Sequence, residues 1–297
     1  MGQLDLTNTN HSHTLRLQYV DAIPYACSPW TDVSRCILRS SSKKGAPCLV
    51  VVKTWRVFKN SASEADRQVF VKKLRNRLFQ WRRLCHPFIT SFQESSFVDD
   101  TLPVVIMPFF VHGNALDFIA GNPATSILSL LQNVTSGLQY MHGLDPPIAH
   151  GTLRASNILI SNEGKACITD PCINMLPLPP FWTIENAVYS RWLAPEILMS
   201  GTGADEFPLA SPEGDVYSFS MTAVEMYTGD RPFSHIKSKL AVLLKATQGN
   251  RPLRPTADNA PQLTDGMWAV LQRCWAHDPT SRPSMTTVGI WLRAMNV

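Results

Sequence analysis

At 297 residues the chain exceeds the usual single-core domain, so one large domain or two lobes are expected. Hydrophobic residues make up 44% and charged residues 17%, which excludes a disordered chain, and a net charge of +4 is too mild to imply a nucleic-acid partner. The longest apolar run, Leu102 to Val111, holds two prolines and falls far short of the roughly 20 residues of a membrane-spanning helix.

The start, Met1 to Thr7, lacks the basic-then-apolar layout of a secretion signal, and Leu6 stands where a myristoylation motif needs Ser or Thr. Neither a leader nor a lipid anchor is expected there. Seven cysteines, an odd number, include no C-x-x-C pair, which reads as reduced thiols in an intracellular, cytoplasmic protein.

In chain order, residues 1–18 are read as a flexible N-terminal tail, polar and without period. Asp32–Leu38 and Cys48–Trp55 read as strands paired in a hairpin, since Cys48-Leu-Val-Val-Val-Lys53 is a β-branched run and Gly45-Ala-Pro47 marks a turn. Residues 63–84 have helical period: Ser63 and Asp66 suit a cap, and Phe70, Leu74, Leu78 and Trp81 recur along one face. Strands resume at Ile89–Val98 and Leu102–Met107. Beyond Gly113-Asn114 the spacing predicts helices over 124–142, 213–228, 236–247 and 264–275. The cations Lys72, Lys73, Arg75, Arg77, Arg82 and Arg83 read as a solvated helix face. Strands first and helices after make an α+β layout.

The segment Ala149-His-Gly-Thr-Leu-Arg-Ala-Ser-Asn-Ile-Leu-Ile160 resembles the catalytic loop of protein kinases, H-R-D-L-x-x-x-N before an apolar strand. Other landmarks follow the same order. Lys53 ends a strand as in V-A-I-K, Asp170 follows a strand as in D-F-G, and Arg191-Trp-Leu-Ala-Pro-Glu196 resembles A-P-E. Gly214-Asp-Val-Tyr-Ser-Phe219 and Arg273-Cys-Trp-Ala-His-Asp-Pro-Thr-Ser-Arg-Pro283 resemble two later motifs of the helical lobe. The chain is thus similar to the eukaryotic protein kinase superfamily. Its motif forms are most like the tyrosine-kinase-like group, and the H-G variant of the loop resembles fungal members. The resemblance implies a bilobal fold: a small β-rich N-lobe with one main helix over 19–111, and a larger helical C-lobe over 112–297. It also implies ATP and magnesium as ligands. Lys53, Val33, Val51, Met107, Phe109 and Leu159 fall at nucleotide-binding positions, and Asn157 and Asp170 at the metal-binding ones.

Several positions depart from that pattern. Thr152 stands where the family has the aspartate that accepts the substrate hydroxyl's proton, and a threonine hydroxyl has no useful basicity near neutral pH. Asp145, in the preceding turn, is a poor replacement. Arg154 completes the loop. Ala26, Ser28 and Thr31 occupy the glycine positions of the phosphate loop, with Pro29 and Trp30 between them. The glutamate that pairs Lys53 is Arg77. Two cations about 4 Å apart at an effective dielectric near 20 repel by roughly 4 kcal/mol, so either Lys53 pairs with Asp170 or Arg77 swings outward. D-F-G has become Asp170-Pro171-Cys172, and Val51 replaces the small alanine above the base. Gly151 replaces the arginine that reads an activation-segment phosphate, which argues against a switch at Thr183, Tyr189 or Ser190.

Residues with a structural role persist. Asp215 matches the acceptor of catalytic-loop N–H groups, Glu196 and Arg282 match an ion pair, His150 and Leu159 match packing residues, and Trp81 holds its apolar position. His11 and His13 read as incidental. Two function classes follow: a pseudokinase that engages a protein partner, with residual ATP binding, or a weakly active kinase acting on Ser, Thr or Tyr. No membrane and no specific nucleic-acid partner is expected.

Overall fold

The computed structural model describes residues 3–7, 14–27, 31–40, 47–55, 64–92, 94–98, 102–171, 189–200 and 210–295. They divide into two compact units: Met1–Arg82 with Ser91–Phe109, and Arg83–Thr90 with Phe110–Val297. The first is a strand-rich N-lobe and the second a larger helical C-lobe, so the α+β expectation holds.

The N-lobe sheet contains β1 (Gln3–Thr7), β2 (Thr14–Tyr19), β3 (Ala26–Cys27), β4 (Thr31–Ser40), β5 (Cys48–Trp55), β6 (Glu94–Val98) and β7 (Leu102–Pro108). Its order is β1-β2-β4-β5-β7-β6, with β3 alongside β4 and every pairing antiparallel. The hairpin expected between 32–38 and 48–55 is the β4–β5 pair. On one face Leu17, Cys36, Val50, Val52, Val104 and Ile106 form a dry cluster. The alternation of the strand puts Val51, Lys53 and Trp55 on the other face. There the Trp55 ring meets Phe70 of helix α1 (Glu64–Arg82) edge-on at 6.4 Å. The helix buries the expected stripe of Phe70, Leu74, Leu78 and Trp81, and Trp81 packs on Phe92. Ser63 lies outside the described residues.

Two expectations need correction. Residues 1–18 are not a loose tail throughout, because β1 and β2 pair with each other and β2 pairs with β4. In that register Leu4 pairs with Leu17 and Leu6 with Leu15, and Leu17 is fully buried; a period-2 pattern this short does not stand out among polar residues. The strand drawn from Ile89 starts only at Glu94. Ile89 instead belongs to the C-lobe, where it bridges Ile168 and Thr90 N donates to the Ile168 carbonyl. Gly137 permits this approach, since a side chain there would come within 3.1 Å of the Phe88 carbonyl oxygen.

The C-lobe contains α2 (Ala115–Gly121), α3 (Ile127–His142), β8 (Ile158–Ile160), β9 (Ala166–Ile168), α4 (Pro195–Ser200), α5 (Pro212–Thr228), α6 (Lys239–Thr247), α7 (Asp265–Cys274) and α8 (Met285–Ala294). Side-chain caps start most of them: Asn114, Ser126, Ser211, Ser238, Thr264 and Ser284 each accept an N–H of the first turn. Helix α5 is buried on all sides from Gly214 to Tyr227 and forms the centre of the lobe. Its acid Asp215 and Glu225 therefore sit among apolar neighbours, where each must find donors.

Candidate catalytic loop and nucleotide-facing strands

The loop from His150 to Asn157 is held from beneath by α5. The Asp215 carboxylate accepts the N–H of His150 at 2.6 Å and of Gly151 at 2.8 Å, and meets His142 Nε2 at 2.9 Å. Gly151 has φ +85°, a left-handed conformation that suits glycine far better than the arginine of the family pattern. His150 is fully buried. Its Nδ1 accepts the Thr152 N–H at 3.3 Å, so its Nε2 donates to the Thr169 carbonyl at 2.9 Å. Burial holds this imidazole below its ordinary 6.5, outweighing the nearby Asp215 and Asp170 carboxylates and the Thr169 hydrogen bond.

Thr152 is buried at the base position, and its Oγ1 meets no hydrogen-bonding group of the described residues. Its carbonyl accepts Asn157 Nδ2 at 3.0 Å, which turns the amide so that Oδ1 remains available. The Asn157 carbonyl accepts Thr169 N at 2.9 Å, which places Asn157 beside the segment that runs from the end of β9 to Asp170. Asp170 is buried with φ 58°, an uncommon backbone state for a residue with a side chain. Two oxygen donors, one an amide and one a carboxylate, suit a hard cation such as magnesium, so these residues fit that ion. Pro171 is buried beside them; Cys172 lies outside the described residues, as does Thr183. Asp145 sits in an exposed turn.

The Arg154 guanidinium lies over the Tyr189 ring at 4.7 Å, close enough to the buried Glu225 carboxylate to favour its charged form, and its Nε is buried without a hydrogen-bond partner among the described residues. Tyr189 and Ser190 are buried, at 5% and 1% exposure, so neither hydroxyl-bearing residue is presented for modification in this state. Leu159 is half-buried in β8, while Ile158 and Ile160 point into the core. The Glu196–Arg282 pair is bidentate, with Nη1–Oε1 at 2.6 Å and Nη2–Oε2 at 2.8 Å.

In the N-lobe, Val33, Lys53 and Val105 stand in one cross-strand row, and Arg35, Val51 and Met107 in the next row of the same face. Lys53 is 6% exposed. Arg77 is half-buried and donates to Gln80 Oε1 at 3.1 Å, along its own helix. Ala26 pairs with Val33 and Thr31 opens β4, whereas Ser28, Pro29 and Trp30 lie outside the described residues, as do His11 and His13. Arg35 was not anticipated. Its guanidinium packs on the rings of Tyr25 and Phe109, at 5.1 and 5.9 Å, and Asp21 clamps it with two bonds of 2.7 and 2.6 Å.

Three further residues escaped sequence reasoning. Glu225 accepts Ala155 N and Trp192 Nε1, both at 2.9 Å, so one buried carboxylate ties the loop to the segment before α4. Burial pushes that carboxyl above its ordinary 4.5, against the lowering effect of those two donors. Arg191 donates to the carbonyls of Pro232, Phe233 and Ile236, and His142 supports Asp215. A lone acid inside the otherwise uncharged stretch Val216–Tyr227 was the available signal for Glu225.

A strand lobe bearing a buried lysine and a helical lobe bearing this loop define a kinase-like domain. The family model for protein tyrosine and serine/threonine kinases matches residues 27–292, and the chain belongs to that family. Among curated proteins it is similar to the Resact receptor of Arbacia punctulata, 28% identical over 62% of the chain and 20% of that protein. It is also similar to the serine/threonine-protein kinase CTR1 of Arabidopsis thaliana, 27% identical over 57% of the chain and 19% of that protein. The probable serine/threonine-protein kinase drkC of Dictyostelium discoideum is 22% identical over 89% of the chain and 35% of that protein. The chain thus spans only a minor part of these relatives. No helix among the described residues is long and apolar enough to cross a membrane.

Proposed function

We propose that this protein kinase domain is a pseudokinase of the tyrosine-kinase-like group that works by binding a protein partner rather than by transferring phosphate. One observation carries the reading: Thr152 fills the base position, and its Oγ1 is buried with no hydrogen-bond partner among the described residues to take a proton onward. The surrounding scaffold is intact, with Asp215, His150 and the Glu196–Arg282 pair all engaged. Loss of chemistry with retention of scaffold favours a binding role.

Nucleotide binding without turnover is part of the same proposal. Asn157 Oδ1 and the Asp170 carboxylate would hold magnesium, and Lys53 would face phosphate oxygens. The ion, when bound, would neutralise phosphate charge. Two features weaken the fit: Val51 is bulkier than the family's alanine, and Arg35 of the same row is locked between Tyr25 and Phe109. A cytoplasmic location is proposed from the thiols, since Cys27, Cys36, Cys48, Cys85, Cys167 and Cys274 are all unbonded.

The second reading, a weak kinase acting on Ser, Thr or Tyr, draws on Asn157, whose tie to the Thr152 carbonyl keeps its oxygen free. A thermal shift with magnesium-ATP, followed by a radiolabel-transfer assay, separates the two. Binding without transfer, with transfer appearing in Thr152→Asp, supports the pseudokinase. Transfer by the unmodified chain that Asp170→Ala abolishes would overturn it.

A further inference from the structure

Helix α1 of the N-lobe has two faces of opposite character. Phe70, Leu74, Leu78 and Trp81 are buried in the lobe. On the other side Gln68, Lys72, Arg75, Phe79 and Arg82 follow one another at steps of four, three, four and three, and each of them is exposed. That spacing keeps side chains on one line along a helix, here about 20 Å long. Val69 and Lys73, also exposed, flank the line.

The line is basic, with one bare ring set in it. No Asp or Glu occurs in the chain between Asp66 and Glu94. Lys72, Lys73 and Arg82 have no ion-pair partner among the described residues, whereas the half-buried Arg77 is turned along the helix to Gln80. Between these cations Phe79 is 66% exposed, although the other two aromatic residues of the helix, Phe70 and Trp81, are buried.

We infer that this face of α1 docks on the surface of an anionic membrane, with Lys72, Arg75 and Arg82 at the lipid headgroups and Phe79 at the boundary with the acyl chains. Shape and charge select this occupant. A bilayer is broad and flat, so it meets a convex helix back along its whole line and takes several cations and one ring together. An acidic partner helix would need an apolar seam at the four-and-three positions, and here all but Phe79 are polar. A single-stranded nucleic acid would use a row of aromatic platforms, and the line holds one. The sequence alone reads these cations as a solvated face and gives no spanning segment; peripheral docking needs none. This docking is independent of phosphotransfer, so its failure leaves the reading of Thr152 untouched.

The test is co-sedimentation of the full chain with vesicles of phosphatidylcholine, alone or with phosphatidylserine as about one-third of the lipid. Binding is expected to the anionic vesicles only, falling steeply as salt rises from about 0.05 to about 0.5 M. A cation at an anionic surface is worth about fivefold in affinity, so Lys72→Glu/Arg82→Glu should weaken binding by about tenfold or more. Phe79→Ser should weaken it by about fivefold and keep the salt dependence. Lys237→Glu/Lys245→Glu makes the same change in net charge at exposed positions of the C-lobe, and should bind like the parent. Melting temperatures should match throughout because every altered side chain is exposed, which separates lost binding from lost folding. Four results would each overturn the inference: no sedimentation with anionic vesicles, equal sedimentation with neutral ones, equal losses in the two charge-reversal pairs, or parent-like binding by Phe79→Ser. Tighter binding of a single-stranded oligonucleotide or of polyglutamate than of the anionic vesicles would overturn it as well.

Discussion

The Asp215 carboxylate reaches Gly151 N at 2.8 Å from a position with no solvent exposure, so the loop's conformation is fixed by a helix residue 64 positions away. Asp215→Asn keeps one carbonyl-type acceptor for two N–H donors, His150 and Gly151. Leaving one donor unpaired should lower unfolding free energy by about 2 kcal/mol. Chemical denaturation measures it, and an unchanged midpoint would show that the contact contributes nothing.

Arg282 has a fully buried guanidinium paired with Glu196, and its remaining N–H groups go to the carbonyls of Ala276, Glu213 and His277. Glu196→Ala strips the charge partner from a buried cation, at a cost of roughly 3 kcal/mol. Glu196→Gln, which keeps the shape, should lose less. Equal melting temperatures for all three proteins would contradict a structural role for the pair.

Much of this was legible in the sequence because each landmark has a spacing that local physics explains. Lys53 alternates with Val52 on a strand, Asp215 opens a helix behind a serine cap, and Arg282 follows a proline turn. What was missed depends on tertiary partners. Glu225 reads as an ordinary helix acid until Trp192 and Ala155 are brought to it, and Arg35 reads as a strand surface residue until Tyr25 and Phe109 flank it. Strand β2 was hidden by polar neighbours, since a period-2 signal over so few residues is weak.

Two imidazoles, buried His150 and half-buried His86, set a pH dependence. His150 and His86 are both held below 6.5 by burial, so the unfolded chain binds protons more readily than the folded one below that value. Stability should fall as pH drops from about 6.5. Glu225 acts in the opposite sense, because its raised value lets the folded state take up a proton first as pH falls towards 4.5. In Glu225→Gln the acid loss should therefore be steeper than in the parent. A melting temperature independent of pH between 7.5 and 5.5 in that variant (roughly one unit either side of the histidine value) would contradict the assignment.

Tyr189 lies beneath the Arg154 guanidinium, and Ser190 is 1% exposed. A broad-specificity kinase acting on the folded chain should leave both unmodified, as read by mass spectrometry of tryptic peptides. Arg154→Ala uncovers one face of the ring and should raise Tyr189 modification. Full modification in the parent protein would show that this segment opens freely.

The most direct test of the account is radiolabel transfer from magnesium-ATP by the unmodified chain, compared with Asp170→Ala under identical conditions. With Thr152 in place of the base, the two proteins should give the same background. Transfer by the unmodified chain above that background, lost in Asp170→Ala, would contradict the account.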